Sequence, residues 1–273
     1  MGRHVRVIEL DRIERRGLAL ARDLGHGPGM VHRYRKARRA ALILFAVVGI
    51  ALAAVFGLGG YFDRQAFVLE QPTTARRGDL VAVYWSGDMG MHVGMGRKII
   101  DRIRADGIPV LTASSPLLFA RPRDPAFAAA VMTRLLGSAA ALPGTGRIAV
   151  VASSFGADMV VASLGQVTPA LRRKVASVAL VGAGRHVYFH ANPSGLFYRG
   201  PSAIDAAAAV RRLNGVSVSC IFGANDDDSL CRDPAMESAR LVMIRDGHMM
   251  LHSHGRVATA VLDTIRHPPP PMR

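Results

Sequence analysis

Arg147-Ile148-Ala149-Val150-Val151-Ala152-Ser153-Ser154-Phe155-Gly156-Ala157-Asp158 runs from an apolar, β-type stretch into a serine and then into small residues that suit a helix start. A strand that stops at a serine and turns sharply into a helix lifts the hydroxyl clear of a sheet, with helix-end N–H groups beside it. The competing job for Ser154 is that of a helix N-cap. Its surroundings decide between them.

From Asp79 onward the chain alternates strand and helix patterns. Leu80–Trp85, Ile108–Thr112, Ile148–Ala152, Val175–Val181, Val216–Phe222 and Arg240–Ile244 read as strands. His92–Ala105, Asp124–Leu142, a helix after Ser154, Ser202–Leu213 and Val257–Arg266 read as helices. Strands separated by helices of this length imply parallel pairing through right-handed crossovers, hence an α/β fold with a doubly wound, mostly parallel sheet.

A serine hydroxyl attacks at neutral pH only when a base takes its proton. The helpers stand in the chain order serine, acid, histidine, each after a late strand, which is the order of the α/β-hydrolase type. Val216–Phe222 runs into Gly223-Ala224-Asn225-Asp226-Asp227-Asp228-Ser229, and the last strand runs into Asp246-Gly247-His248. The acid is Asp226 or Asp228: Asp226 lies three residues after Gly223, and both are open at this point. Three consecutive carboxylates repel one another, so at least one faces water. His248 is the candidate base, with His252 and His254 as neighbours. The developing oxyanion needs backbone donors. Phe155, just after the serine, and Gly87 and Asp88 in Ser86-Gly87-Asp88-Met89-Gly90 are the candidates. No metal-ligand spacing and no cofactor motif is present.

Ala40 to Gly60 carries no charged residue over a length that can span a bilayer. Arg33, Arg35, Lys36, Arg38 and Arg39 precede it, so residues 1–39 are expected in the cytoplasm and everything after Gly60 outside it. A cleaved signal peptide has a shorter leading region, which favours a retained anchor. Residues 61–78 read as a linker, 79–266 as the catalytic domain, and His267–Arg273, with four prolines, as a loose tail. Val7, Leu10, Ile13 and Leu18 suggest a short amphipathic helix.

The net charge is +15, and residues 1–39 hold 11 Arg/Lys against 4 Asp/Glu, or +7 of it. The remaining +8 is spread without aromatic interleaving, which argues against nucleic acid and for an anionic membrane surface. The only cysteines, Cys220 and Cys231, both follow the anchor, and an oxidising compartment permits a disulfide closing the loop between them.

Tyr84-Trp85-Ser86-Gly87-Asp88, Ser154-Phe155-Gly156-Ala157-Asp158, Cys220-Ile221-Phe222-Gly223, Asp228-Ser229-Leu230-Cys231 and Gly247-His248 resemble the bacterial virulence protein VirJ/AcvB family. The resemblance covers roughly residues 79–266. It implies an exported α/β-hydrolase at the inner membrane that cleaves aminoacyl-phosphatidylglycerol, notably the lysyl form. Ser154 would be the nucleophile, His248 the base, and the acid would come from the Asp loop. It also allows a non-catalytic role beside a secretion partner, while the residues alone equally suit an esterase on another envelope ester. Three departures stand out: Ala152 where the family has glycine, Met89-Gly90-Met91 for Gly-Gly-Trp, and Met249-Met250-Leu251 after Gly247-His248 for His-Phe-Asp. Met249 and Met250 would line an apolar pocket or fill the core. Because a lysyl lipid is cationic, a spare carboxylate from Asp88, Asp158 or the Asp226–Asp228 run would be needed near the pocket.

Overall fold

The computed structural model describes residues 28–92, 94–192, 198 and 201–273. The amphipathic stretch at residues 7–18 lies outside them. Two compact units divide at Ala54/Val55.

Helix α1, Pro28–Leu58, runs without a break, and His32–Leu58 is long and apolar enough to cross a membrane. It starts earlier than the apolar run predicts, because the arginines before Ala40 are good helix formers that extend the same helix.

The second unit is built on a seven-stranded sheet in the order β1-β3-β2-β4-β5-β6-β7. The strands are β1 Phe67–Glu70, β2 Leu80–Trp85, β3 Val110–Ala113, β4 Arg147–Ser153, β5 Val175–Val181, β6 Val218–Gly223 and β7 Arg240–Ile244. All neighbours are parallel except β1, which pairs antiparallel with β3. β1 corrects the linker reading of residues 61–78. Four residues give little sequence signal, and pairing Phe67 with Ala113 and Glu70 with Val110 is what makes them a strand.

The helices are α2 Met95–Ala105, α3 Ser115–Leu118, α4 Pro125–Ala140, α5 Phe155–Ser163, α6 Pro169–Arg172, α7 Ala206–Arg211 and α8 His254–Arg266. Successive residues of β2 point to opposite faces. Val81, Val83 and Trp85 enter the core shared with α4, α5 and α7, while Ala82 and Tyr84 enter the core shared with α2 and α8. Burial on both faces explains why the inner strands read as mainly apolar runs, while the edge strands β1 and β7 keep exposed positions. Ile99, Ile100 and Ile103 of α2 are wholly buried, and each contributes roughly 1.5–3 kcal/mol. Asp124 and Asp205 cap α4 and α7 by accepting from the N–H of Phe127 and Ala208.

The C-terminal tail is not loose. Met272 is buried and exchanges backbone hydrogen bonds with Gly215 and Val216.

Strand order reverses direction at β2, where β3 lies on one side and β4 on the other. The loops leaving the C-terminal ends of β2 and β4 therefore part to opposite faces, and such a switch point is where open α/β sheets make their clefts.

Candidate active site

Ser154 sits on the turn between β4 and α5 with φ 48° and ψ −123°, a conformation rare for a residue with a side chain. Its N–H donates to the Val181 carbonyl at 2.7 Å. Its hydroxyl makes no capping bond to α5, so the N-cap alternative fails. Gly156 permits the turn, because a Cβ there would lie 2.3 Å from the Trp85 carbonyl oxygen and 2.5 Å from that of Ser86. Ala152, at the position where the family has glycine, is accommodated in the core with no exposure. The neighbouring Ser153 is occupied elsewhere: it is buried, and its hydroxyl bonds Tyr84 at 2.7 Å.

His248 Nε2 lies 3.5 Å from Ser154 Oγ, and His248 Nδ1 lies 2.8 Å from Asp226 Oδ2. Contacts of the first kind are commonly long without substrate and shorten when it binds. The His248 loop is organised by Asp246, whose carboxylate accepts from the N–H groups of Gly247 and His252. His252 and His254 do not reach Ser154; His252 faces solvent beside Asp246.

The Asp run is divided by burial. Asp226 is 5% exposed, whereas Asp227 and Asp228 face water. Asp228, the other candidate acid, pairs with His186 Nδ1 at 3.2 Å and has no hydrogen bond to His248. Spacing alone could not separate two carboxylates two residues apart. The path of the loop separates them: Cys220 in β6 is bonded to Cys231, and Arg232 donates to the carbonyls of Asp226 and Ala224. Closing so short a loop stabilises the fold by about 3 kcal/mol. The Asp226 hydrogen bond raises the pKa of His248 above its ordinary value, against the opposing effect of burial.

Phe155 N–H is the first of α5, and helix-start N–H groups have no carbonyl behind them to bond. On the opposite side, a Cβ on Gly87 would lie 3.4 Å from Ser154 Cβ, so the Gly87–Gly90 turn abuts the serine. Of the backbone positions expected as oxyanion donors, Phe155 and Gly87 thus border Ser154, and Asp88 lines the cleft beside it.

These groups open into a cleft of about 650 Å³. Its lining includes Asp88, Asp158, His186, Tyr188, Tyr198 and Met249. Met250, by contrast, is buried in the core, at φ 45°. Asp158 accepts from the Gly184 N–H at 2.8 Å, and burial raises its pKa well above the carboxylate range, as do the nearby carboxylates. Burial also raises Asp88, partly offset by the hydroxyl of Tyr198, which donates to it at 3.1 Å. Tyr188 and Tyr198 stack with centroids 5.0 Å apart. The sequence reading missed both tyrosines; the signal was Tyr188-Phe189-His190, an aromatic cluster in an aromatic-poor chain. Among the described residues, no cluster of His, Cys, Asp and Glu could hold a metal, and no Lys or Arg lines the cleft.

Sheet, turn and cleft define an α/β-hydrolase fold. Est1E from Butyrivibrio proteoclasticus superposes with a TM-score of 0.57 at 14% identity, over 73% of this chain and 92% of that one. MenH from S. aureus gives 0.55 at 9%, over 74% and 98%. The esterase domain of a Rhodothermus marinus protein gives 0.51 at 13%, over 72% and 91%. Among curated proteins none matches. The family model for bacterial virulence protein (VirJ) matches residues 79–268, and the chain belongs to that family.

Proposed function

We propose that this protein is a membrane-anchored, exported serine hydrolase that cleaves the aminoacyl ester of an aminoacyl-phosphatidylglycerol. The observation that carries the catalytic part is the hydrogen-bonded line from Ser154 through His248 to the buried Asp226, with Ser154 on a strained turn.

His248 Nε2 takes the proton of Ser154 Oγ as the oxygen attacks the ester carbonyl. Asp226 holds the ring by Nδ1 and stabilises the imidazolium. The N–H groups of Phe155 and of Gly87 or Asp88 receive the oxyanion. Collapse expels the glycerol oxygen of the lipid, which takes the proton from His248 and leaves the aminoacyl group on Ser154. Water, deprotonated by His248, then releases the free amino acid and regenerates the serine.

Family membership supports the lipid substrate, and the cleft supports its cationic end. In a chain of net charge +15, Asp88 and Asp158 stand in the cleft without an ion pair among the described residues. That arrangement suits an ammonium group. An inner-membrane anchor through α1, with the catalytic unit in the periplasm beside anionic lipids, agrees with the apolar helix and the disulfide. The stacked tyrosines and exposed Met249 favour a second reading, an esterase for a neutral ester with an aromatic or acyl group.

Purified full-length protein in detergent should release lysine from lysyl-phosphatidylglycerol, and Ser154→Ala should abolish the release. Lysine release that survives Ser154→Ala would sink the serine mechanism. Cleavage of a neutral acyl ester with no action on the lysyl lipid would select the second reading.

A further inference from the structure

Asp88 is gripped twice. Its carboxylate accepts from Tyr198, and its main-chain carbonyl accepts from the hydroxyl of Tyr61 at 3.1 Å. Tyr61 stands only three residues beyond the end of α1, in the stretch expected to be a linker. The catalytic unit begins at Val55, so the last turn of α1 and this stretch belong to it.

Two further contacts bind the same stretch to this loop and the residues just after it, and a third steadies Tyr61 itself. Asp63 accepts from or pairs with His92 Nε2 at 2.8 Å. Gly90 has φ +66°, and a Cβ on it would lie 2.4 Å from the Gly59 carbonyl oxygen, so the two backbones are in direct contact. Phe56 packs edge-on to the Tyr61 ring, with centroids 5.1 Å apart. The loop is thus braced from outside by Gly59–Asp63 and abuts Ser154 on its inner side.

The turn is closed by Gly90 N–H donating to the Gly87 carbonyl at 3.1 Å, so Asp88 and Met89 are its two central residues. In a four-residue turn the orientation of the middle peptide sets the central dihedrals, and with them the direction of the N–H groups. Tyr61 holds that middle peptide by its oxygen. Burial and the Asp88 carboxylate raise the pKa of Tyr61, which keeps it a donor at any physiological pH.

We propose that Tyr61 is a positioning residue for the reaction: through the Asp88 carbonyl it holds the turn that presents the Gly87 and Asp88 N–H groups to the oxyanion. The segment leaving α1 is therefore part of the active site's support as well as a tether. The proposal rests on the serine-hydrolase reading of Ser154.

The test uses the full chain in detergent micelles, a short-chain p-nitrophenyl ester, and a fluorophosphonate probe that titrates reactive Ser154. Tyr61→Phe keeps the ring against Phe56 and removes only the donor. It should lower kcat per titrated site about tenfold while leaving KM within about twofold, as expected when only transition-state geometry is disturbed. Asp63→Asn should lower kcat less. Normalising to titrated sites separates positioning from unfolding, since a variant that merely unfolds keeps kcat per site. Tyr61→Phe with the wild-type kcat per site overturns this proposal alone. Wild-type protein that neither hydrolyses the ester nor takes the probe overturns the serine reading and this proposal together.

Discussion

Asp226 and Asp158 line one cleft and are the same residue type, yet their surroundings set them to different work. Asp226 is buried against His248 and spends its charge on the imidazole. Asp158 has a single backbone donor, Gly184, and among the described residues no cationic partner. The first carboxylate is committed inside the protein. The second is held where a positive group would relieve the cost of its burial. The contrast teaches that an acidic residue in a cleft must be read by what already neutralises it.

Asp226→Asn breaks the committed side of the comparison and has the largest expected effect, about 10⁴-fold in kcat, because an amide no longer fixes the Nδ1–H tautomer of the ring and supplies no counter-charge. The pH profile should move with it. Activity requires neutral His248, so it rises with pH through a pKa that Asp226 holds above the ordinary histidine value. Without that carboxylate the acidic limb should shift to lower pH, and rates measured from pH 5 to 9 would reveal it. A limb that stays in place would mean that another group titrates.

Asp158→Asn tests the uncommitted side. Hydrolysis of the lysyl lipid should fall about tenfold while that of a neutral ester holds, since one charge-assisted contact is lost. Stability should change in the opposite sense. The folded-state pKa of Asp158 is raised, so the native state binds the proton more tightly and loses stability as pH climbs from the unfolded value through the folded one. The variant lacks that penalty. Its melting temperature should exceed that of the wild type at neutral pH and converge with it in acid.

The smallest effect belongs to Asp228→Asn. With its side chain 65% exposed and paired to a half-exposed His186, it should change activity less than about twofold. A loss comparable to that of Asp226→Asn would reverse the assignment of the acid.

Much of this site was legible because its parts are local. Arg147–Ala152 followed by Ser154 announces a strand and a turn, and the runs at Val216–Phe222 and Arg240–Ile244 mark where the loops carrying Asp226 and His248 begin. β2 and β5 match their expected bounds because residues buried on both faces leave a nearly unbroken apolar record, while the edge strand β7 matches with Leu241 and Met243 exposed on one face. β1 was not legible, because a four-residue edge strand is defined by its partner β3. Nor were Tyr188 and Tyr198, which line the cleft, or Tyr61, which holds the Asp88 turn from outside it; all three stand in segments without periodic pattern.

From its sequence alone this chain declared an alternating α/β domain, an apolar helix before it, a serine on a strand–helix turn, and an acid and a histidine in the right order. Those are properties of short stretches, set by side-chain periodicity and turn chemistry. Only the tertiary structure chose Asp226 over Asp228, set Ser154 to its positive φ, bonded Cys220 to Cys231, and brought the stretch after α1 against Asp88. Each of these depends on which distant residue lies within hydrogen-bonding or bonding distance, and that distance is fixed by how the sheet and its loops pack.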